Sequence, residues 1–268
     1  MKLVRSSKFV FAASVIALVA AMVAPAFASA ATLKLSGSTT VYPVAQLLAT
    51  GYKAKTGNNV TVTGGGSSVG IKDAIAGRVD VGMSSRDLKD AEKSSGAVET
   101  AFARDALTIV VNPKNTVKNL TEEQVRSIYR GEITNWKQVG GANRRIVLVG
   151  RTAASGTYEF FKEKFLLGKR QSSKTRAYSS NGMVRSAVKA NKGAIGYVSM
   201  AYVDKRVRAL KIGGVSATRA NAVSGAYIYV RPLYWITKGA PAGEAKAFID
   251  WTKSEAGQKI VAKEFLRY

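Results

Sequence analysis

Neither histidine nor cysteine occurs in the 268 residues. That double absence excludes Ser-His-Asp and Cys-His catalysis, zinc held by imidazole or thiolate, and haem ligated by either. It also excludes disulfides and a lipid-modified cysteine, so stability must rest on the core alone. Acidic residues are scarce, 17 Asp and Glu against 41 Lys and Arg, for a formal net charge of +24. The chain shows no clustered carboxylates for a two-metal centre. Past residue 31 there is no second long apolar run, no internal repeat and no low-complexity tract. What remains is a globular composition, 46% hydrophobic and 22% charged, long enough for one large domain or two lobes. The basic surplus points to anionic partners: small oxyanions, nucleic acid or an anionic membrane surface.

Residues 1–30 read as an export signal. Lys2, Arg5 and Lys8 form a positive start, Phe9 to Val23 is apolar, and Pro25 breaks the run before the small residues Ala26 to Ala30. Cleavage is expected after Ala30, with Ala28 the alternative and an uncleaved anchor helix the competing reading.

Beyond that segment, short β-branched runs alternate with helical stretches. Leu33–Leu35, Val60–Thr63, Val79–Met83, Leu107–Val111, Ile146–Val149 and Ile195–Val198 read as strands. Pro43 suits a first helical turn that Gly57 ends, Thr121 and Gln124 form a capping box, and Ala242–Lys253 carries Ala245, Phe248, Ile249 and Thr252 on one face. The alternation predicts an α/β protein with largely parallel sheets. Residues 113–226 hold 22 Lys and Arg against 6 Asp and Glu, while the flanks are more balanced. This predicts a discontinuous first lobe, residues 31–112 with 227–268, and a basic second lobe, residues 113–226. Crossings are expected near Val111–Pro113 and Ala226–Arg231.

Three loops rich in glycine and hydroxyls precede expected helices: Gly37 to Pro43, Gly64 to Gly70 and Arg151 to Thr157. Helix N-termini present unpaired N–H groups and partial positive charge, glycine admits a ligand to the backbone, and Ser or Thr adds a hydroxyl. One such loop is explained by capping; three, one opened by an arginine, form an oxyanion pattern. No Gly-Lys-Ser/Thr follows the glycine run, and its spacing does not give G-x-G-x-x-G, so neither a P-loop nor a dinucleotide site is supported. Ser155 has no histidine to activate it and no lysine within its motif.

Taken together, Gly37–Thr40, Gly66–Ser68, Asp80–Arg86 and Arg151–Thr157 resemble, in order and spacing, the phosphate-binding receptors of ABC-type importers, in their compact branch. Ile128–Trp136 and Gly193–Val198 match two further segments of that family. The resemblance covers essentially all of the chain past residue 31. It implies a two-lobed α/β fold of the type II periplasmic-binding-protein kind, with two hinge crossings and one dehydrated oxyanion in the cleft. Carried over residue by residue, Thr39 donates its hydroxyl and N–H, Thr40 its N–H, and Ser67 acts likewise at the second loop. Arg151 pairs with the anion's oxygens, and Ser155, Gly156 and Thr157 close over it. The residue chemistry agrees, since all of these groups are donors. Two departures stand out. Ser85 occupies the place of an aspartate that accepts the proton of hydrogen phosphate, and Ala153 that of an acidic residue. Arg86, next to Ser85, is expected to add a second positive donor, and a solvated surface arginine is the competing reading.

The resemblance implies a periplasmic phosphate receptor that serves a membrane ABC permease, a monomer without cofactor, catalysis or nucleic-acid partner. A receptor for sulfate, molybdate or tungstate, and a secreted phosphatase, are the alternatives.

Overall fold

The computed structural model describes residues 32–268, and the expected export segment lies outside the described residues. The chain opens with β1 (Thr32–Gly37), α1 (Tyr42–Thr56), β2 (Asn59–Gly64), α2 (Ser67–Ile75), β3 (Val81–Ser84), α3 (Asp90–Ser94) and the long β4 (Ala97–Val111). Next come β5 (Asn119–Leu120), α4 (Glu122–Arg130), β6 (Val147–Arg151), α5 (Gly156–Lys164), β7 (Arg176–Tyr178), α6 (Asn181–Ala190) and β8 (Ala194–Ser199). Short pieces β9 (Arg208–Ala209), β10 (Lys211–Ile212) and α7 (Arg219–Val223) lead to β11 (Val230–Lys238), α8 (Gly243–Lys253), α9 (Glu255–Glu264) and β12 (Leu266–Arg267). None of the described helices is long and apolar enough to cross a membrane.

Local chemistry accounts for the helix ends. Pro43 sits in the first turn of α1, where its missing N–H costs nothing, and Gly57 closes the helix at φ 79°, donating to the Lys53 carbonyl at 2.8 Å. Thr121 and Gln124 make the expected box on α4: Gln124 N–H donates to Thr121 Oγ1 at 3.1 Å, and Thr121 N–H to Gln124 Oε1 at 2.9 Å.

The main sheet runs β2-β1-β3-β11-β4-β8-β6-β7. Its two outer portions are parallel, as expected: β1 with β2 and β3, and β6 with β7 and β8. The middle is not. There β11 lies antiparallel to β3 and β4, and β4 antiparallel to β8. The expectation of largely parallel sheets missed β11 and the first half of β4, because Glu99, Arg104 and Asp105 interrupt one run and Arg231 and Pro232 the other. Pro232 cannot donate to a ladder, and a register shift follows it between Leu233 and Tyr234.

Two cores flank this middle. One gathers Leu35, Val44, Leu48, Phe102, Trp235 and Phe248, with Phe102 stacked on Trp235 at 4.1 Å. The other gathers Ile109, Ile128, Tyr129, Phe161, Tyr197 and Tyr229, with Phe161 stacked on Tyr197 at 4.0 Å. β4 threads both, pairing with β11 over Ala97–Ala106 and with β8 over Leu107–Val111. That change of partner lies upstream of Val111–Pro113, so Leu107–Val111 pack with the second core.

Candidate anion-binding site

Each of the three hydroxyl-rich loops leaves a strand and enters a helix, and the fold brings all three to one place. In the first, Ser38 Oγ accepts from Thr40 N–H at 3.2 Å and donates to Ser85 Oγ at 3.0 Å. The second turns at Gly66, with φ 102°, and a side chain there would meet the Ala154 backbone. Ser67 follows as the first residue of α2; its Oγ accepts from Ser85 N–H at 3.1 Å and lies 3.3 Å from Ser85 Oγ. In the third, Ser155 caps α5 by accepting from Tyr158 N–H at 3.3 Å. Gly156 packs directly on the second loop: a methyl group in its place would collide with Ser67 Oγ and stand 2.8 Å from Ser85 Oγ.

Contacts join the two halves across this cluster. Thr40 and Thr157 share a hydrogen bond between their Oγ1 atoms at 3.1 Å, and Ser68 N–H donates to the Ala154 carbonyl at 3.1 Å. Arg151, at the end of β6 and 1% exposed, reaches Thr39 Oγ1 with Nη2 at 2.9 Å. Its remaining partners are the carbonyls of Tyr178 and Ser179, and its Nη1 has none. No carboxylate neutralises it. Burial, reinforced by the charge of Arg231, brings its pKa down to about 10.

Of the expected residues, Thr39, Thr40, Ser67, Ser85, Arg151, Gly156 and Thr157 meet in this cluster, and Ser155 caps the helix that delivers two of them. Arg86 departs from expectation. Its guanidinium is 7% exposed but is held by Glu92, at 2.8 Å from Nη1 and 2.7 Å from Nη2, with further bonds to the Asp87 carbonyl and Ser68 Oγ. Although burial works to raise the Glu92 pKa, Arg86 holds the carboxyl below its ordinary range.

The second guanidinium at the cluster belongs to Arg231, which the sequence reading did not single out. It is 2% exposed; Nη2 donates to Thr157 Oγ1 at 3.0 Å and Thr40 Oγ1 at 3.3 Å, while Nη1 has no partner. Asp105, its register partner across β4 and β11, accepts from Arg231 Nη2 at 2.9 Å and from Ser199 Oγ at 2.6 Å. Burial pushes the Asp105 carboxyl up, and Arg231 opposes that push. Asn181 joins the same knot, donating to Thr40 Oγ1 at 3.0 Å. A partial signal for the pair existed: Asp105 and Arg231 are opposite charges at the edges of apolar stretches, Ala106–Val111 and Leu233–Ile236, where a buried charge survives only when matched.

The cluster therefore concentrates donors. Of its two buried guanidiniums only Arg231 is met by a carboxylate, and each keeps an unused nitrogen. Among the described residues, no group of His, Cys, Asp and Glu could hold a metal ion. A tetrahedral oxyanion between the halves would take up the spare donors and the excess charge.

Residues 23–256 match the family model described as a PBP superfamily domain. Fold and family model together thus define a binding protein of the two-lobed PBP class. A crystal structure from Clostridium perfringens, of a protein assigned as a phosphate ABC transporter substrate-binding protein with bound phosphate, is 40% identical with TM-score 0.84, covering 88% of this chain and 98% of that one. An ABC-type phosphate transport receptor from Vibrio cholerae is 36% identical with TM-score 0.73, covering 88% and 99%. The phosphate-binding protein PstS of Borreliella burgdorferi is 34% identical over 247 residues, 87% of this chain and 88% of the relative. The chain belongs to this family of phosphate-binding proteins, which are receptors and not enzymes.

Proposed function

We propose that the chain captures inorganic phosphate in the cluster around Arg151 and Arg231 and hands it to a membrane ABC permease. The observation that carries this reading is the pair of buried guanidiniums, each with an unused nitrogen, amid hydroxyls from three helix-entry loops. In this reading Thr39, Thr40 and Ser67 bind from the first lobe. Arg151, Ser155, Gly156 and Thr157 bind from the second, Arg231 from a crossing strand, and Ser85 faces the anion's protonated oxygen. Arg86 serves the fold. The lobes are residues 32–106 with 230–268 and residues 107–229, hinged where β4 changes partner and where the chain enters β11. An anion touching both lobes favours the closed state by its differential affinity. The protein acts as a monomer outside the cytoplasm, with residues 1–30 removed.

Calorimetric titration of the exported protein with phosphate, sulfate, molybdate and tungstate tests the reading. Phosphate should bind most tightly, and small-angle scattering should show a smaller radius of gyration with it. Tighter binding of another anion, or no phosphate binding, would overturn the assignment. Intact mass should fit a chain starting at Ala31.

A further inference from the structure

The second half of the molecule has two ends, and the anion cluster occupies one. There β6 ends at Arg151 and β8 at Ser199. At the opposite end β6, β7 and β8 begin and β4 finishes, since Val147 pairs with Ala194, Val149 with Arg176, and Val111 with Ile195. The loops at that end carry Lys114, Arg144, Arg145, Lys174 and Lys192, and β7 begins there with Arg176, all exposed. Arg145, Lys174 and Arg176 line one cleft of about 630 Å³, and Lys114, Arg144 and Lys192 line a smaller one beside it. No carboxylate lines either cleft. Among the described residues, none of the six cations is in an ion pair.

The sequence explains this isolation. Residues 106–121, 133–158 and 164–203 contain no aspartate or glutamate, and together they supply the ends of β4, β6, β7 and β8 that meet here, with β9 alongside β4; Glu132 is the nearest acidic residue along the chain to the larger cleft. A charge excess this consistent, spread over several loops at one end, differs from scattered surface lysines. We propose that this end is a docking surface for an anionic phospholipid bilayer. A bilayer fits better than a nucleic acid, because the cations are spread across separate loops and neither cleft offers an exposed aromatic for base stacking. Chain chemistry points the same way: with no cysteine there is no thiol to carry a lipid, and clustered cations hold a protein at anionic headgroups without one.

Co-sedimentation of the exported protein with phosphatidylglycerol vesicles and with phosphatidylcholine vesicles tests the proposal. The protein should pellet with the anionic vesicles only, and binding should fall roughly tenfold between about 50 mM and about 300 mM NaCl as screening shortens. The variant Arg144→Gln, Arg145→Gln, Lys174→Gln, Lys192→Gln should lose at least about tenfold in partitioning, with phosphate titration unchanged as the check on folding. The matching variant Lys53→Gln, Lys55→Gln, Lys253→Gln, Lys263→Gln removes the same charge from the first half and should bind nearly as the parent does. Equal loss in both variants would mean net charge, not this surface, drives adsorption, and would overturn the proposal. So would retention on an acidic polypeptide or an oligonucleotide without binding to vesicles. Because vesicle binding is read without phosphate, its failure is separate from any failure of the phosphate assignment.

Discussion

Arg86 and Arg151 are the same residue type, both nearly buried, both adjoining a hydroxyl-rich loop, and they do opposite things. Arg86 meets a carboxylate of its own chain through two nitrogens, so its charge is answered inside the fold. Arg151 meets carbonyls and a hydroxyl only, and burial drags its pKa down to about 10. Arg231 stands between them, answered by Asp105 yet still holding a free nitrogen beside the cluster. The difference teaches where to look for ligand: a buried cation whose counter-charge the protein withholds is reserved for an anion from outside.

The largest effect expected is on Arg231, because it serves both purposes. Arg231→Met strands the Asp105 carboxylate in a fully buried position, and stability should fall by about 3–5 kcal/mol in urea denaturation. Adding Asp105→Asn should restore most of that stability without restoring phosphate affinity. Recovery of affinity in the double variant would reduce Arg231 to a structural role and erase its intermediate place.

Arg151 comes next, and here binding and folding should part. Arg151→Met should weaken phosphate binding by about 2–5 kcal/mol, the scale for truncating a buried charged partner. Its folded pKa lies below its unfolded one, so the charged form is disfavoured by folding. That cost is fully present at pH values below about 10 and fades only above it. The variant should therefore unfold at no lower urea concentration than the parent at neutral pH. A stability loss beyond about 2 kcal/mol would show that the bonds to Tyr178 and Ser179 outweigh the buried charge.

For Arg86 the pattern should invert. Arg86→Gln removes the partner that holds Glu92 below its ordinary range. A carboxylate whose pKa is depressed stabilises the fold above its unfolded pKa, and that contribution disappears as the pH falls through the folded value. The variant should lose about 1–2 kcal/mol at neutral pH and less in acid, with phosphate affinity within about twofold of the parent. A tenfold loss of affinity would return Arg86 to the site.

These contrasts mark what was legible in the chain before folding. The three loops, the α4 box and the helix over Gly243–Lys253 are written in short contiguous stretches, and local chemistry suffices to read them. Seven expected residues converge because each sits where a strand hands over to a helix. For Arg86, adjacency to Ser85 in the sequence does not say which partner its guanidinium meets, and in the fold that partner is Glu92, six residues on. Arg231, Asp105 and Asn181 were missed for the converse reason. Their meaning lies in pairings between residues more than a hundred positions apart, and the strands that pair them carry charges and a proline where a strand pattern would be apolar.

The smallest effect, and the one that refines the comparison most, concerns Ser85. It is fully buried, accepts from Ser38 at 3.0 Å and lies 3.3 Å from Ser67 Oγ. A hydroxyl can accept the proton of hydrogen phosphate, but it can also turn and donate to an aprotic oxygen. With two guanidiniums close by and no free carboxylate, the cluster has little with which to reject sulfate. The parent should thus prefer phosphate while still binding sulfate measurably. In Ser85→Asp the new carboxylate would accept the phosphate proton, from an anion still held by Arg151 and Arg231, but face the bare oxygens of sulfate as a buried like charge. Sulfate affinity should drop by about 1.5–3 kcal/mol and phosphate affinity change by less than about 1 kcal/mol. Paired titrations of both proteins with both anions, at one pH and one salt, read the result. Complete exclusion of sulfate by the parent, with no gain in the variant, would mean that another group receives the proton. Asp105 would then be the residue to test, since it is the one carboxylate bonded to a guanidinium of the cluster.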